Sequence, residues 1–141
     1  VINVLPVIER TCSTLTKLYE SQTVQFNLEG VNSEFTVRMD EADLFEVIGN
    51  ILENACKYGS QTIWVSTDTK SNTLIVEDDG PGFPDIDLNQ LAQRGVRADS
   101  QTQGSGMGLA AVEQLMGAHG GQLSPSHRSQ GGAHIALVFL Q

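Results

Sequence analysis

Apolar residues recur at spacings of three and four along two long stretches of the chain, the pattern of amphipathic helices. The first stretch begins around Pro6, which can open a helix because its missing N–H has no partner in the first turn. The second follows Asp40, which we predict to be its N-cap, with Asp43 at the third helical position as an acidic variant of the capping box. The two apolar stripes are Ile8, Cys12, Leu15, Leu18 and Tyr19, and Leu44, Val47, Ile48, Ile51, Leu52, Ala55 and Cys56.

Alternation of apolar and polar residues marks shorter stretches as β-strands. We predict that 24–30 (VQFNLEG) pairs with 35–39 (FTVRM) as a hairpin across GVNSE. A second hairpin joins 62–68 (TIWVSTD) to 73–78 (TLIVED) across TKSN, and the last two strands, GQLSPSH and AHIALVFL, flank a turn at SQGG. Strands that follow one another as hairpins favour a mostly antiparallel sheet.

The stretch GSGMGLAAVEQLMGAHGG (104–121) predicts a third helix that opens at Leu109 and stops at a glycine pair. Before it, 85–103 has one weak helical turn, and an insert of this kind is usually a functional lid or disorder. We therefore predict one domain over 1–141, with a lid at about 83–104. Its fold class is an α/β two-layer sandwich, a mixed and mostly antiparallel sheet covered by three helices on one face.

Composition limits the kinds of molecule that the chain can bind and the class of protein to which it belongs. The net charge of −9 argues against nucleic acid, which demands clustered Lys and Arg. Cys12 and Cys56 both fall on apolar helical positions and predict buried core thiols, not a disulfide framework. No apolar run approaches the roughly 18 residues of a membrane span. Because the chain begins with Val1 and shows no signal peptide, we expect an excised domain.

Polar residues interrupt the second helix at GNILENACKYG (49–59). Asn50, Asn54 and Lys57 lie at i, i+4 and i+7, so they share one helix face, with Tyr58 beside them. Carboxamide oxygens suit a hard cation such as Mg²⁺, and a lysine one turn on can reach phosphates that the cation binds. The alternative for this pattern is a polar helix face in water.

Two glycine-containing stretches carry the other candidate chemistry. In EDDGPGFP, a buried carboxylate at a strand end can accept hydrogen bonds from an amino group such as that of adenine, and glycines let the backbone approach a flat ring. The alternative is an ordinary turn. In GSGMG, free N–H groups at the start of a helix suit phosphate. A lone glycine loop is weak, but the three stretches in this order are hard to explain as turns.

Together these motifs resemble the catalytic and ATP-binding domain of bacterial sensor histidine kinases, within the ATPase superfamily that shares the Bergerat fold. NILENACKYG is similar to the N box of that family, VEDDGPGFP to its first glycine box and GSGMGLAAV to its second. NACKYG followed by EDDGPG is most similar to the PhoQ-type subfamily. The resemblance covers nearly the whole chain. It implies binding of ATP and Mg²⁺ and transfer of the γ-phosphate to a histidine.

The resemblance also implies roles for individual residues. Asn50 and Asn54 would hold Mg²⁺, Lys57 would contact phosphate, and Asp78 rather than Asp79 would receive the adenine amine. Arg94 would reach the terminal phosphates, so Asn50, Lys57 and Arg94 form the expected catalytic set. The remaining nucleotide-binding residues would be Tyr58, Gly80, Gly82, Arg97, Gly104, Gly106, Gly108 and Leu109. The phenylalanine usual in the lid would fall at Ala92, a departure from the family pattern.

Two other functions stay open, a Bergerat-fold ATPase and a non-catalytic nucleotide-binding module. The hydrolysing ATPases resemble one another in a glutamate four residues before the key asparagine, which activates water. That position is Asn50 here, and Glu53 points about 100° around the helix. The histidine kinase interpretation is therefore favoured over hydrolysis.

The family context implies partners outside the chain. His119, His127 and His134 lack the helical setting with an acidic neighbour that the family's phosphoacceptor requires, so the acceptor is expected on an upstream dimerisation and phosphoacceptor domain absent from this chain. The resemblance further implies a response regulator, a homodimeric full-length protein and a monomeric isolated domain. It implies a cytoplasmic domain of a membrane-anchored kinase.

Overall fold

In the computed structural model of the protein, the described part of the chain forms a five-stranded sheet with three helices covering one face. The structure describes residues 1–57, 61–81 and 105–140, the last range without the side chains of 105–108. The helices are α1 (Val4–Leu18), α2 (Glu41–Lys57) and α3 (Ser105–Ala118), with a 3-10 turn at Glu20–Gln22. The strands are β1 (Ile2–Asn3), β2 (Gln25–Gly30), β3 (Thr36–Val37), β4 (Thr62–Asp68), β5 (Thr73–Asp78), β6 (Gln122–His127) and β7 (Ala133–Val138). The predicted fold class, an α/β two-layer sandwich, is confirmed.

The main sheet has the strand order β2-β4-β5-β7-β6. Strand β2 runs parallel to β4, and the other neighbours are antiparallel, so the sheet is mixed and mostly antiparallel. The predicted β4–β5 and β6–β7 hairpins are confirmed. Each has a short connection, which fixes the partner as well as the face of each strand.

The predicted hairpin between 24–30 and 35–39 is wrong. Strand β2 pairs with β4, and the short β3 pairs with β1 in a separate two-stranded sheet. Between them, Asn32 accepts a hydrogen bond from Glu34 N at 2.8 Å through its side chain, and its own N–H donates to Thr67 Oγ1 at 2.9 Å. This turn is tied to β4 and directs the chain out of the sheet. Alternation had specified which residues face the core, but not which strand is the partner.

One hydrophobic core lies between the helices and the inner face of the sheet. The predicted stripe of α2 is buried in full, Leu44, Val47, Ile48, Ile51, Leu52, Ala55 and Cys56. It packs with α1 residues such as Ile8 and with strand residues such as Val65 and Leu137. Both cysteines are buried and unbridged, as predicted. No helix in the described ranges is long and apolar enough to cross a bilayer.

Two helix starts differ from prediction. Helix α1 begins at Val4, before Pro6, because the Asn3 side chain caps it by accepting a hydrogen bond from Leu5 N at 3.2 Å. Helix α3 begins at Ser105, four positions before the expected Leu109. Glycine is a poor helix former, so propensity places the start at the first residue beyond the glycines, whereas the helix already includes them.

The N-terminal turn of α2 is fixed by a contact from α3. Asp40 O accepts a hydrogen bond from Leu44 N at 2.9 Å, so Asp40 stands at the predicted entry of the helix. The Asp43 carboxylate Oδ2 lies 2.9 Å from His119 Nε2, just after the end of α3. Asp43 therefore joins two helices, which differs from the capping-box role predicted for it.

Candidate nucleotide-binding site

A buried carboxylate stands at the end of the central strand β5. Leu74, Val76 and Asp78 alternate along this strand, so their side chains point to the same face of the sheet. Leu74 and Val76 are core residues, which places Asp78 on the face that the helices cover. Asp78 is 8% exposed. A charged group at such a position is costly unless hydrogen bonds satisfy it.

Backbone N–H groups hold the Asp78 carboxylate. Its Oδ1 accepts hydrogen bonds from Gly80 N at 2.9 Å and from Ala133 N, at the start of β7, at 3.3 Å. Gly132 has φ +102°, and a Cβ there would overlap the Asp78 carbonyl oxygen. Only glycine tolerates both the backbone conformation and the contact. The β6–β7 turn is thus packed directly against Asp78.

The neighbouring Asp79 makes hydrogen bonds to the start of β4. Its Oδ1 accepts hydrogen bonds from Gln61 N at 2.8 Å and from Thr62 N at 3.0 Å, and its N–H donates to Thr62 O at 3.3 Å. Asp79 is exposed and anchors the start of β4. Of the two adjacent carboxylates, Asp78 is the one that faces the helix layer, which is the geometry the sequence prediction required of it.

The amide face of α2 comprises Asn50, Asn54 and Lys57. Asn50 and Asn54 are half-buried one turn apart, and Lys57 is exposed at the last position of the helix. The Asn50 side-chain nitrogen donates to Glu46 O at 2.9 Å, so its carbonyl oxygen is the atom that remains to meet a cation. Two amide oxygens fit Mg²⁺, which takes few protein ligands and completes its shell with water and phosphate.

Cys56 connects this helix with Asp78. Its thiol is fully buried, and this desolvation raises its pKa to about 11, with further contributions from the charges of Glu53 and Asp78. Helix α2 also packs against β5, the strand that ends at Asp78.

Glu53 points towards α1. Burial raises the pKa of the Tyr19 hydroxyl, and the negative charge of the nearby Glu53 carboxylate raises it further. Tyr19 follows the last residue of α1, so Glu53 is engaged between the two helices. Asn50 also borders the groove between α1 and α2, together with Glu53.

Comparison with known proteins identifies the fold that carries this site. Residues 39–141 match the family of histidine kinase-, DNA gyrase B- and HSP90-like ATPases. The chain belongs to this family. The resemblance read from the N box and glycine boxes is thereby confirmed, and the predicted ATP-binding class with it.

Within the ATPase family, the curated relatives include sensor kinases of the PhoQ type. The chain is 34% identical over 138 residues to the virulence sensor histidine kinase PhoQ of Salmonella typhimurium strain LT2, and 32% identical to the sensor protein PhoQ of Escherichia coli K12. Both alignments cover 96% of this chain and 28% of the relative. The chain therefore spans just over a quarter of the length of these sensor kinases.

Solved structures of the family share the fold. The mycobacterial sensor histidine kinase MprB superposes with a TM-score of 0.80 at 24% identity, covering 98% of this chain and 94% of that one. The ATP-binding domain of PrrB from Mycobacterium tuberculosis gives 0.75 at 19% identity, covering 99% and 96%. Full-length ShkA in complex with AMPPNP gives 0.73 at 19% identity, covering 98% of this chain and 30% of that one.

Some residues predicted for the ATPase site lie outside the described part of the chain. These are Tyr58, Gly82, Arg94, Arg97 and Gly104, whose roles stay predictions. Gly106 and Gly108 lie in the first turn of α3, which corrects the prediction of a loop there. Leu109 is 3% exposed and packs in the core. Gly80, next to Asp79, donates its N–H to Asp78.

Sequence reasoning missed the contacts that Gly132 and Ala133 make with Asp78 in the candidate site. They belong to the turn and strand near the end of the chain, 54 and 55 positions after Asp78. The glycine pair in SQGG was interpreted only as a turn. A glycine pair directly before the last alternating strand is the signal that could have indicated a close approach of two backbone segments.

Proposed function

We propose that this domain binds Mg-ATP between the Asp78 end of β5 and the amide face of α2, and donates the γ-phosphate to a histidine on a separate dimerisation and phosphoacceptor domain. The observation that carries the proposal is Asp78, a buried carboxylate held by two backbone N–H groups on the helix-covered face of the sheet. An ionised carboxylate has more than two acceptor positions, so Asp78 can also accept the amino group of adenine.

The phosphate half of the pocket is formed by α2. Asn50 and Asn54 would supply amide oxygens to Mg²⁺, and Lys57, at the exposed end of the helix, would contact the phosphates as a point charge. The bound ion would neutralise negative charge on the triphosphate, which matters in a domain whose own net charge is −9. Arg94 remains a further candidate for the terminal phosphates on sequence grounds alone.

Transfer to a histidine is favoured over hydrolysis by the chemistry of α2. Hydrolysis needs a base that takes a proton from water, and the side-chain amide of Asn50 cannot do so. The nearest carboxylate in the sequence of α2, Glu53, lines the groove between α1 and α2. The domain would therefore hold ATP in line with an imidazole nitrogen, which attacks the γ-phosphorus while the bond to the bridging oxygen of ADP breaks.

The histidines of the described ranges support a separate acceptor. His119 is bonded to Asp43 at 2.9 Å, just beyond the end of α3. His134 lies within β7 with its Nδ1 3.4 Å from Ser126 Oγ, and His127 ends β6. The acceptor histidine of this family is expected within a helix beside an acidic residue, and none of these three histidines lies within a helix. We extend the proposal to a cytoplasmic domain of a membrane-anchored, homodimeric sensor kinase that serves a response regulator.

The test supplies γ-labelled ATP and Mg²⁺ to this domain together with the dimerisation and phosphoacceptor domain of the full-length protein. We expect the label on the acceptor domain in an acid-labile, base-stable form, as for phosphohistidine. Asn54→Ala should abolish Mg-ATP binding and transfer, whereas Gln25→Ala removes an exposed side-chain amide on the edge strand β2 and serves as the matched control. Release of free phosphate without a labelled acceptor would favour the hydrolytic alternative.

A further inference from the structure

A single arginine connects the open face of the sheet to the turn that holds Asp78. Arg128 directly follows β6, and its Cζ lies 4.3 Å from the centre of the Trp64 ring. Trp64 alternates with the buried Ile63 and Val65, so it faces away from the helices. The Arg128 Nε lies 4.0 Å from Glu77 Oε2, and Glu77 is the residue opposite Trp64 in the β4–β5 pair.

The same guanidinium fastens the β6–β7 turn. Its Nη1 donates to Gly131 O at 3.1 Å and its Nη2 donates to Gln130 Oε1 at 2.9 Å. The backbone closes the turn as well, since Arg128 N donates to Gly132 O at 2.9 Å and Gly131 N donates to Arg128 O at 3.0 Å. The planar fork of arginine suits several simultaneous bonds of this kind, and a lysine ammonium does not reproduce them.

Ordering this turn is entropically costly, because two of its residues are glycines. Gly131 and Gly132 both have positive φ, at +97° and +102°, and glycines have the largest backbone entropy to lose on ordering. Gly132 packs against the Asp78 backbone, and Ala133 donates the N–H that holds Asp78 Oδ1. A displacement of the turn therefore moves a hydrogen-bond donor of the carboxylate.

We propose that Arg128 is a positioning residue for adenine recognition. Held by Trp64 and Glu77 on the open face of the sheet, it fixes the β6–β7 turn so that Ala133 N–H orients Asp78 on the opposite face. Arg128 itself makes no contact with the nucleotide in this account. The inference rests on the proposed function, since it assigns Asp78 to the amino group of adenine.

The test compares ATP with purine riboside triphosphate, which carries the same ribose and phosphates but lacks the amino group. In Arg128→Ala, we expect the Kd for ATP to rise about three- to tenfold, the loss of roughly one well-oriented hydrogen bond. The Kd for purine riboside triphosphate should change by less than about twofold on the same scale. A turn that merely supports the fold would weaken both nucleotides equally.

Three further variants make the result specific. Arg128→Lys keeps the charge above Trp64 but loses the fork, so its ATP selectivity should lie between the wild type and Arg128→Ala. Trp64→Ala should reproduce part of the loss, because it removes the surface on which the guanidinium rests. Arg38→Ala removes one exposed cation elsewhere and should leave both affinities unchanged.

The outcomes separate the inference from the function on which it rests. Full ATP selectivity in a folded Arg128→Ala protein, alongside lost selectivity in Asp78→Asn, overturns the positioning role and leaves the proposed function standing. A wild-type domain that binds both nucleotides equally overturns both. Should Arg128→Ala fail to fold, the same two nucleotides are compared in Arg128→Lys. Unaltered selectivity for ATP in that variant would overturn the positioning role of the guanidinium.

Discussion

At the residue scale, the adjacent carboxylates Asp78 and Asp79 lie in different surroundings and make different contacts, although they are neighbours in the sequence. Asp78 continues the inward alternation of β5 and is buried against the helix layer, whereas Asp79 lies just beyond the strand and binds Gln61 N and Thr62 N. The family resemblance had selected Asp78, and its burial on the inner face of the sheet is consistent with that choice. Its role towards adenine stays a prediction.

Exchanging each carboxylate for an amide should separate these functions. Asp78→Asn replaces one acceptor oxygen by a donor that opposes the adenine amine, and we expect the Kd for ATP to rise about 10- to 100-fold, since a bond to a charged group is lost. Asp79→Asn is the matched control, because it should lower the melting temperature while leaving ATP affinity unchanged. Calorimetric titration and thermal melts check both. Equal ATP binding in the two variants would contradict the assignment.

The buried thiols give a prediction about pH. Burial raises the pKa of Cys12 to about 12, with smaller contributions from Cys56 and Glu9, and burial likewise raises that of Cys56 to about 11. Both folded pKa values lie above that of an exposed thiol. The unfolded chain therefore loses these protons first as pH rises, and the contribution of the two thiols to stability should be constant below about pH 8.5 and fall above it.

Denaturation by urea between pH 7 and pH 10.5 measures this dependence. Replacing both cysteines by alanine should flatten the alkaline decline relative to the wild type, although the variant starts from a lower stability because two core side chains are shortened. A thiol reagent at pH 8 should label the native protein slowly and the urea-unfolded protein rapidly. Rapid labelling of the native protein would contradict the burial of both side chains.

At the scale of elements, the segments with strong local periodicity were predictable and the long-range pairings were not. The buried stripe of α2 and the β4–β5 and β6–β7 hairpins follow from spacing and short connections. The pairing of β2 with β4 could not be predicted in this way, because β4 lies more than thirty residues further along the chain and alternation does not indicate which strand is the partner. The predicted start of α3 at Leu109 was four residues too late, because the low helix propensity of glycine argues against a helix over 105–108.

The candidate site likewise combines residues that local periodicity predicts with residues that only long-range pairing brings together. Asn50, Asn54 and Lys57 share a helix face, which 3.6-residue periodicity predicts directly. The support that Ala133 gives to Asp78 depends on β5 and β7 being neighbours in the sheet, a relation between distant parts of the sequence. Residues that act through tertiary contacts, such as Gly132, therefore became visible only in the folded structure.

The β6–β7 turn offers a matched pair of glycine substitutions. Gly131→Ala places a side chain in open space at a positive φ, and should cost about 1 kcal/mol of unfolding free energy from backbone strain alone. Gly132→Ala adds an overlap with the Asp78 backbone, and should cost on the order of 3 kcal/mol. Urea denaturation measures both. Equal costs would show that the turn is not packed against Asp78 as the structure has it.

At the scale of the whole molecule, the domain combines an acidic surface with a site for a highly charged nucleotide. The net charge of −9 would repel a triphosphate, so a metal ion and a few placed cations must make its binding favourable. The domain covers just over a quarter of its PhoQ relatives, and the proposed acceptor histidine belongs to another part of such a protein. Alone, the domain should bind ATP and leave its own histidines unphosphorylated.

The most direct measurement is an NMR titration of the isotope-labelled domain with a non-hydrolysable ATP analogue, with and without Mg²⁺. The proposal predicts coincident shifts at the Gly80 and Ala133 backbone amides, which flank Asp78, and at the side-chain amides of Asn50 and Asn54. The Asn50 and Asn54 shifts should require Mg²⁺, whereas those at Gly80 and Ala133 should persist without it. Shifts at only one of these two groups, or at neither, would contradict a single pocket between β5 and α2.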